Sequence, residues 1–328
     1  MKVTIHQSNV HEIFLPIGNH KLAVFSDIHW DNPKCDWKLL KKDLDYCKEN
    51  NIPMMFNGDT FCLMQGKWDP RGTKSDIRPE HNNIHYLDSI VKTAVEFFSP
   101  YAHLITVIGY GNHETSVLKR HETDVLRRFV DLLNVQNHTN VQVGGYGGWL
   151  VIKTEVRKNC LISFKGKYFH GSGGGGIVTR GEINLTRALE AYEDFDFFIM
   201  GHIHENKCTN VTRDTLSTHA TGYRTVHKNI HLAITGTYKE EYEDGSKGWH
   251  VERGDGALDR SQRGPGDADA ARGRPGPQHP GHLQQRQRRA GLHRHPRGEP
   301  AIPGLEALLL RGRHPRALHR ALAGAHRT

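Results

Sequence analysis

Five short segments of the chain carry side chains of the kinds that bind metals: Asp27-Ile28-His29, Gly58-Asp59, Gly111-Asn112-His113-Glu114, His170-Gly171 and Gly201-His202-Ile203-His204. Together they offer carboxylate oxygens, an amide oxygen and neutral imidazoles, a ligand set suited to two adjacent divalent ions. A phosphate ester resists hydrolysis because it is negatively charged and has a poor leaving group. Two ions about 3.5–4 Å apart answer both problems, binding the phosphoryl oxygens and holding a bridging hydroxide in line for attack. The segments therefore point to a dinuclear metal hydrolase. Asp59 is the expected bridge, because Asp can use both oxygens and Gly58 permits a close backbone approach. His113 follows the candidate ligand Asn112 and is read as the general acid that protonates the leaving oxygen. Glu114 is expected to orient or tune His113.

Apolar runs precede these segments and must position them. Residues 21–26 (KLAVFS) and 52–57 (IPMMFN) read as strands that end at Asp27 and at Gly58-Asp59. Residues 103–108 (HLITVI) end at Gly109, and 195–200 (FDFFIM) end at Gly201. Helical spacing over 37–50 puts Leu40, Leu44 and Cys47 on one face, and over 82–98 it aligns Ile84, Leu87, Val91 and Val95. Residues 117–133 read as one charged helix and 181–192 as another. Strands are expected at 150–154, 160–164 and 168–170, and a meander at 207–212, 216–221 and 230–235. Strand–helix alternation followed by strands implies an α/β (α+β) class, with stacked sheets flanked by helices. Ligands of open α/β sheets bind past the C-terminal ends of strands. The placement of the motifs therefore supports one convergent site.

The order DxH, GD, GNHE, H and GHxH resembles the calcineurin-like metallophosphoesterase superfamily, over about residues 21–237. The resemblance implies a four-layer double β-sandwich with helices on both faces. It implies that Asp27, His29, Asp59 and His204 hold one ion, and that Asp59, Asn112, His170 and His202 hold the second. It also implies that His113 is the catalytic acid, with Asn112 beside it. The implied cofactors are two divalent ions, manganese first, with iron, zinc or nickel compatible with the same mixed donors.

The chain departs from the family pattern at the second motif. GDxxD is common there, whereas this chain reads Gly58-Asp59-Thr60-Phe61-Cys62, with no Arg-Gly after it. The family's Ser/Thr protein phosphatases usually carry an arginine at that point and another two residues after the Glu of GNHE, where this chain has Ser116. The departures argue against a protein phosphatase and leave the ligand positions untouched. A phosphodiesterase or nuclease acting on nucleic acid or nucleotides is the leading expectation. A cationic insertion at 67–78 (KWDPRGTKSDIR) is either a lid that grips a phosphate backbone or a solvated loop. A phosphomonoesterase is the alternative, followed by a non-catalytic protein-binding scaffold. The glycine run at 173–176 has no Gly-Lys-Ser/Thr after it and is read as a turn. Trp30, Trp37 and Trp68 are read as packing residues, and Cys62 as a buried filler.

The formal charge of +8 belongs to one end of the chain. Residues 253–328 hold 15 Arg, no Lys and 6 acidic residues, while residues 1–252 carry a net charge of −1. The tail has no Phe, Tyr, Trp, Val or Met, so it can hardly bury a core. It is either a basic, disordered nucleic-acid-binding segment or a sequence never selected as protein, such as translation in a shifted frame. The second reading is favoured, and the functional domain is expected within 1–252. Five cysteines without a CxxC pair suggest free thiols in a reducing compartment. Residues 1–7 (MKVTIHQ) lack the apolar core of a signal peptide, and no run of about 18 apolar residues suggests a membrane span. A cytoplasmic location without membrane association is expected, with a phosphate-ester substrate as partner.

Overall fold

Short runs such as Met-Met-Phe-Asn, buried on both faces, form central parallel strands, whereas alternating runs form strands with one face outward. The computed structural model describes residues 1–63, 76–157, 160–174, 179–219, 222–240 and 305–309. Of these, β3 (His20–Phe25), β4 (Met54–Asn57) and β5 (Ile105–Gly109) run parallel at the centre of a five-stranded sheet. Its edges are β6 (Gln142–Val143) and β12 (Leu305–Leu309), the latter pairing parallel with β3. That strand lies in the Arg-rich tail, the remainder of which falls outside the described residues.

A seven-stranded sheet contains β1 (Lys2–Gln7), β2 (Val10–Leu15), β7 (Gly147–Arg157), β8 (Cys160–Phe169), β9 (Phe197–Met200), β10 (Lys207–His219) and β11 (Gly222–Ile234). Their spatial order is β1-β2-β7-β8-β9-β11-β10. The two sheets meet through Ile13, Val24, Met55, Val107, Ile152 and Tyr168. The other face of the five-stranded sheet packs against α1 (Trp37–Glu49), α2 (Tyr86–Phe98) and α4 (Val125–Asn137). Leu185 and Ala188 of α5 (Glu182–Ala191) pack against Phe198, Met200 and Leu232 on the outer face of the larger sheet. The chain is thus a mixed α/β protein with two sheets and helices. No helix among the described residues is long and apolar enough to cross a membrane.

Several boundaries depart from expectation. The charged helix expected at 117–133 is two helices, α3 (Asn112–His121) and α4. Glu122 caps the first in the left-handed region at φ 51°, and the Asp124 carboxylate caps the second by accepting the Arg127 N–H at 2.9 Å. α2 begins at Tyr86 rather than at residue 82. There the Asn83 side chain accepts the His85 N–H at 2.7 Å, an Asx turn that competes with helix, and Ile84 is left 94% exposed. The strands expected at 160–164 and 168–170 merge into β8, and the meander is one long hairpin, β10–β11. The β1–β2 hairpin was not anticipated. In α1 the expected face holds, with Leu40, Leu44 and Cys47 fully buried.

Candidate metal centre

Each motif begins where a strand stops. Asp27 and His29 follow β3, Gly58 and Asp59 follow β4, and Asn112 and His113 open α3 just after β5. His170 is the residue after β8, and His202 and His204 follow β9. Five of these residues hold left-handed backbone: Asp27 (φ 51°), His29 (φ 49°), Asp59 (φ 48°), His202 (φ 72°) and His204 (φ 57°). Non-glycine residues occupy that region at a cost that concentrates at functional sites. Here the turn brings successive side chains back over the strand ends. Gly58 (φ +85°) is required for a second reason: a Cβ there would lie 2.5 Å from Nδ1 of His170. At Gly111 a Cβ would lie 2.0 Å from Oδ1 of Asp59.

The structure brings all seven expected ligands into one cluster, in two donor sets. In the first, Nε2 of His204 lies 3.3 Å from Oδ1 of Asp27 and 3.4 Å from Nε2 of His29. In the second, Nε2 of His170 lies 3.2 Å from Oδ2 of Asp59 and 3.1 Å from Oδ1 of Asn112, and Nδ1 of His202 lies 2.8 Å from the same Asn112 oxygen. Ligand atoms of Asp27, His29 and His204 fall within 4.8 Å of one another, as do those of Asp59, His170 and His202. Asp59 groups with the second set. The two sets touch through the His202 N–H, which donates to Oδ2 of Asp27 at 2.9 Å.

The donor chemistry fits a cation. Nδ1 of His170 lies 2.8 Å from the Asn57 carbonyl oxygen, which can only accept, so Nδ1 carries a hydrogen. In the neutral ring, Nε2 is then a bare lone pair, and it faces the Asp59 carboxylate and the Asn112 amide oxygen. Acceptors that converge in this way are satisfied by positive charge. The same field acts on the ring: burial disfavours protonation of His170, but the charge and hydrogen bond of Asp59 outweigh it and push the pKa up to about 10, so a proton on Nε2 and a metal ion answer the same need. Asp59 moves the other way. Burial would raise its pKa, yet the neighbouring His170 and His113 hold it well below the usual carboxylate range. Asp27 is likewise lowered, because His204 outweighs the effect of burial. These sets could therefore hold metal ions.

His113 stands beside the second set. Its Nδ1 donates to the Cys62 carbonyl oxygen, which fixes the ring and turns Nε2 to within 3.9 Å of Oδ2 of Asp59. Its own backbone N–H, in the first turn of α3, donates to Oδ1 of Asp59 at 3.0 Å. Glu114 does not touch His113 through any hydrogen bond described. It accepts instead from the backbone N–H groups of Asp59 (3.2 Å), Phe61 (2.9 Å) and Gly111 (2.8 Å). It is a clamp on two motif loops, one of which carries Asp59, the acceptor of the His113 backbone N–H. Burial and then the Asp59 charge push its pKa up to about 8, against the bonds from Phe61 and Gly111.

The sequence reading missed several residues of the site. Asp31, buried, accepts the backbone N–H groups of Cys62 and Leu63 and so fixes the loop after Asp59. Its signal was a second acidic residue four positions after Asp27, in a segment too polar for an apolar neighbourhood. Ser26 donates to Oδ2 of Asp27, and Thr237 donates to the Asp27 carbonyl at 2.8 Å. Cys62, read as a filler, lies with His29 and His113 in a third group whose ligand atoms are all within 4.8 Å. The cationic insertion falls mostly outside the described residues, as do Trp68 and residues 175–176 of the glycine run. Its last cation, Arg78, is stacked on Trp30 (4.6 Å) and Trp37 (4.2 Å). All five cysteines are free thiols.

Compared with known proteins, the chain matches no family model, and no curated protein matches it.

Proposed function

We propose that this chain is a dinuclear metal-dependent phosphoester hydrolase, acting on phosphodiesters of the nucleic-acid or nucleotide kind. The observation that carries the reading is the convergence of His170, Asp59, Asn112 and His202, joined by contacts of 2.8, 3.1 and 3.2 Å, beside a second carboxylate–imidazole set. Asp27, His29 and His204 would hold one ion, Asn112, His170 and His202 the other, with Asp59 between them. Manganese is the proposed pair, and iron, zinc or nickel suit the same nitrogen and oxygen donors. Ions at these positions would neutralise phosphoryl oxygens and supply an activated water nucleophile.

The chain's own residues do the rest. His113, its Nδ1 tied to the Cys62 carbonyl, would present a protonated Nε2 to the leaving oxygen. That Nε2 lies 3.9 Å from the Asp59 carboxylate. Asn57, through its carbonyl, keeps the His170 lone pair directed inward. Glu114 holds the Asp59 and Gly111 loops at a fixed separation. The positions at which the family's protein phosphatases place arginines are here a buried leucine, Leu63, and Ser116. A phosphomonoester dianion would lose that cationic support, which favours the singly charged diester. The two face-to-face sheets with outer helices agree with the double β-sandwich that the motifs imply.

The test is hydrolysis of bis-p-nitrophenyl phosphate and p-nitrophenyl phosphate by the full chain with Mn²⁺, with His113→Ala as control. Diester cleavage that the control abolishes supports the reading. Cleavage of the monoester alone transfers it to a phosphomonoesterase. A folded protein that binds metal and cleaves neither overturns it for simple esters and turns attention to a scaffold.

A further inference from the structure

The proposed hydrolase has no use for the Cys62 side chain, yet that thiol is the softest donor at the site. Its sulfur and one ring nitrogen each from His29 and His113 lie within 4.8 Å of one another. We propose that His29, Cys62 and His113 form an alternative binding site, sharing His29 with the first donor set, for a soft divalent ion of the zinc or cadmium class.

Three features build this site. First, the donor set differs in kind from its neighbours: a sulfur and two imidazoles, against carboxylates, an amide and imidazoles. Thiolate and imidazole together select zinc-like ions over manganese-like ones. Three protein donors leave a fourth, open position, and bonds of about 2.3 Å to sulfur and 2.0–2.1 Å to nitrogen would draw the trio in from within 4.8 Å. Second, the sulfur is held. Cys62 is fully buried, its backbone N–H is anchored on Asp31, and the Asn32 amide donates to its sulfur at 3.2 Å. A hydrogen bond to the sulfur is the outer support that a metal thiolate receives in built sites. Third, His29 has a nitrogen to give. Its Nε2 is turned to His204 at 3.4 Å, while Nδ1 is buried and has no hydrogen-bond partner among the described residues.

Binding releases the thiol proton to solvent, and the two imidazoles give lone pairs. An ion seated there occupies His113, so the ring cannot donate a proton, and it draws on His29, which also belongs to the first donor set. The site rests on the trio's geometry. Only its consequence, inhibition by a soft ion, rests on the hydrolase reading.

The experiment is a Cd²⁺ titration of the full chain, loaded with Mn²⁺, in a background carrying Cys160→Ser and Cys208→Ser, which removes the two thiols nearer the surface. The ultraviolet thiolate-to-cadmium charge-transfer absorption is followed. The expected result is a band that saturates at one Cd²⁺ per chain and is lost in Cys62→Ser. His113→Ala, which keeps the thiol, should weaken Cd²⁺ binding by at least about tenfold, as loss of support at metal sites does. No band in the parent, an equal band in Cys62→Ser, or unchanged affinity in His113→Ala overturns the proposal. Should Cys62→Ser fail to fold, the His113→Ala titration alone decides. The absorption does not depend on turnover, so failure of the hydrolase reading would show separately, as absent Mn²⁺-dependent diester cleavage.

Discussion

Oε2 of Glu114, three residues into α3, accepts the backbone N–H of Asp59 at 3.2 Å, joining positions 55 residues apart in the chain. The same carboxylate takes the N–H groups of Phe61 and Gly111. Its loss leaves three buried donors without partners, each worth about 1–3 kcal/mol. Glu114→Ala is therefore expected to lower the unfolding free energy by about 3 kcal/mol or more, read from urea denaturation. Glu114→Gln keeps one carbonyl oxygen and should lose less. Equal, small effects in both variants would remove the clamp.

His113→Ala should reduce diester turnover by about 10²- to 10⁴-fold, the usual range for removing a general acid. Metal content should hold, because His113 stands beside the proposed manganese ligands rather than among them. Parallel loss of both would make His113 a ligand instead.

Asp59→Ala should lose both ions and nearly all activity if Asp59 bridges. Asn112→Ala should weaken the second ion more than the first, since its oxygen meets His170 and His202 only. Elemental analysis and Mn²⁺ titration check both. Two ions per chain in Asp59→Ala would show that each set holds its ion without a bridge.

Gly58→Ala places a methyl 2.5 Å from His170 Nδ1 at a φ of +85°. The methyl should displace His170 from the Asn57 carbonyl and weaken binding of the second ion, at a stability cost of about 1–3 kcal/mol for the strained backbone. Calorimetry against Mn²⁺ separates the two effects.

A pH effect is expected away from the site. Burial raises the Asp43 carboxyl from 3.8 to about 6, against the hydrogen bond from Tyr238, which favours ionisation. The folded state then prefers the protonated form. Its contribution is present below pH 3.8 and is lost as pH rises towards about 6. Asp43→Asn keeps an acceptor for Tyr238 and should melt at a higher temperature than the parent at neutral pH. The gap should close below pH 3.8, where the parent carboxyl is protonated in both states. Thermal melts across that range decide it.

The local pattern was legible where short-range physics governs it. Apolar runs that end at Asp27, Gly58, Gly109 and Gly201 are strands because their residues are buried on both faces, and α1 shows its face because Leu40, Leu44 and Cys47 recur at helical spacing. The helix expected over 117–133 broke because a left-handed residue and an Asp cap at 122–124 end one helix and begin the next, and apolar spacing carries across such a break unmarked. Ile84 was misplaced because a single Asx turn outweighed a periodic apolar residue.

The sequence by itself determined which donors exist and that each stands at the end of a strand. It could not say which donors share an ion. Asp59 meets His170 because β4 and β8, in different sheets, end side by side, and no spacing along the chain encodes that. Cys62 meets His29 and His113, and Glu114 meets Asp59, because β3, β4 and β5 lie side by side in one sheet and their ends fall together. Hydrogen bonds and metal bonds act over a few ångströms, whereas these partners lie tens of residues apart. Only the pairing of strands within one sheet and the packing of that sheet against the other bring them within reach.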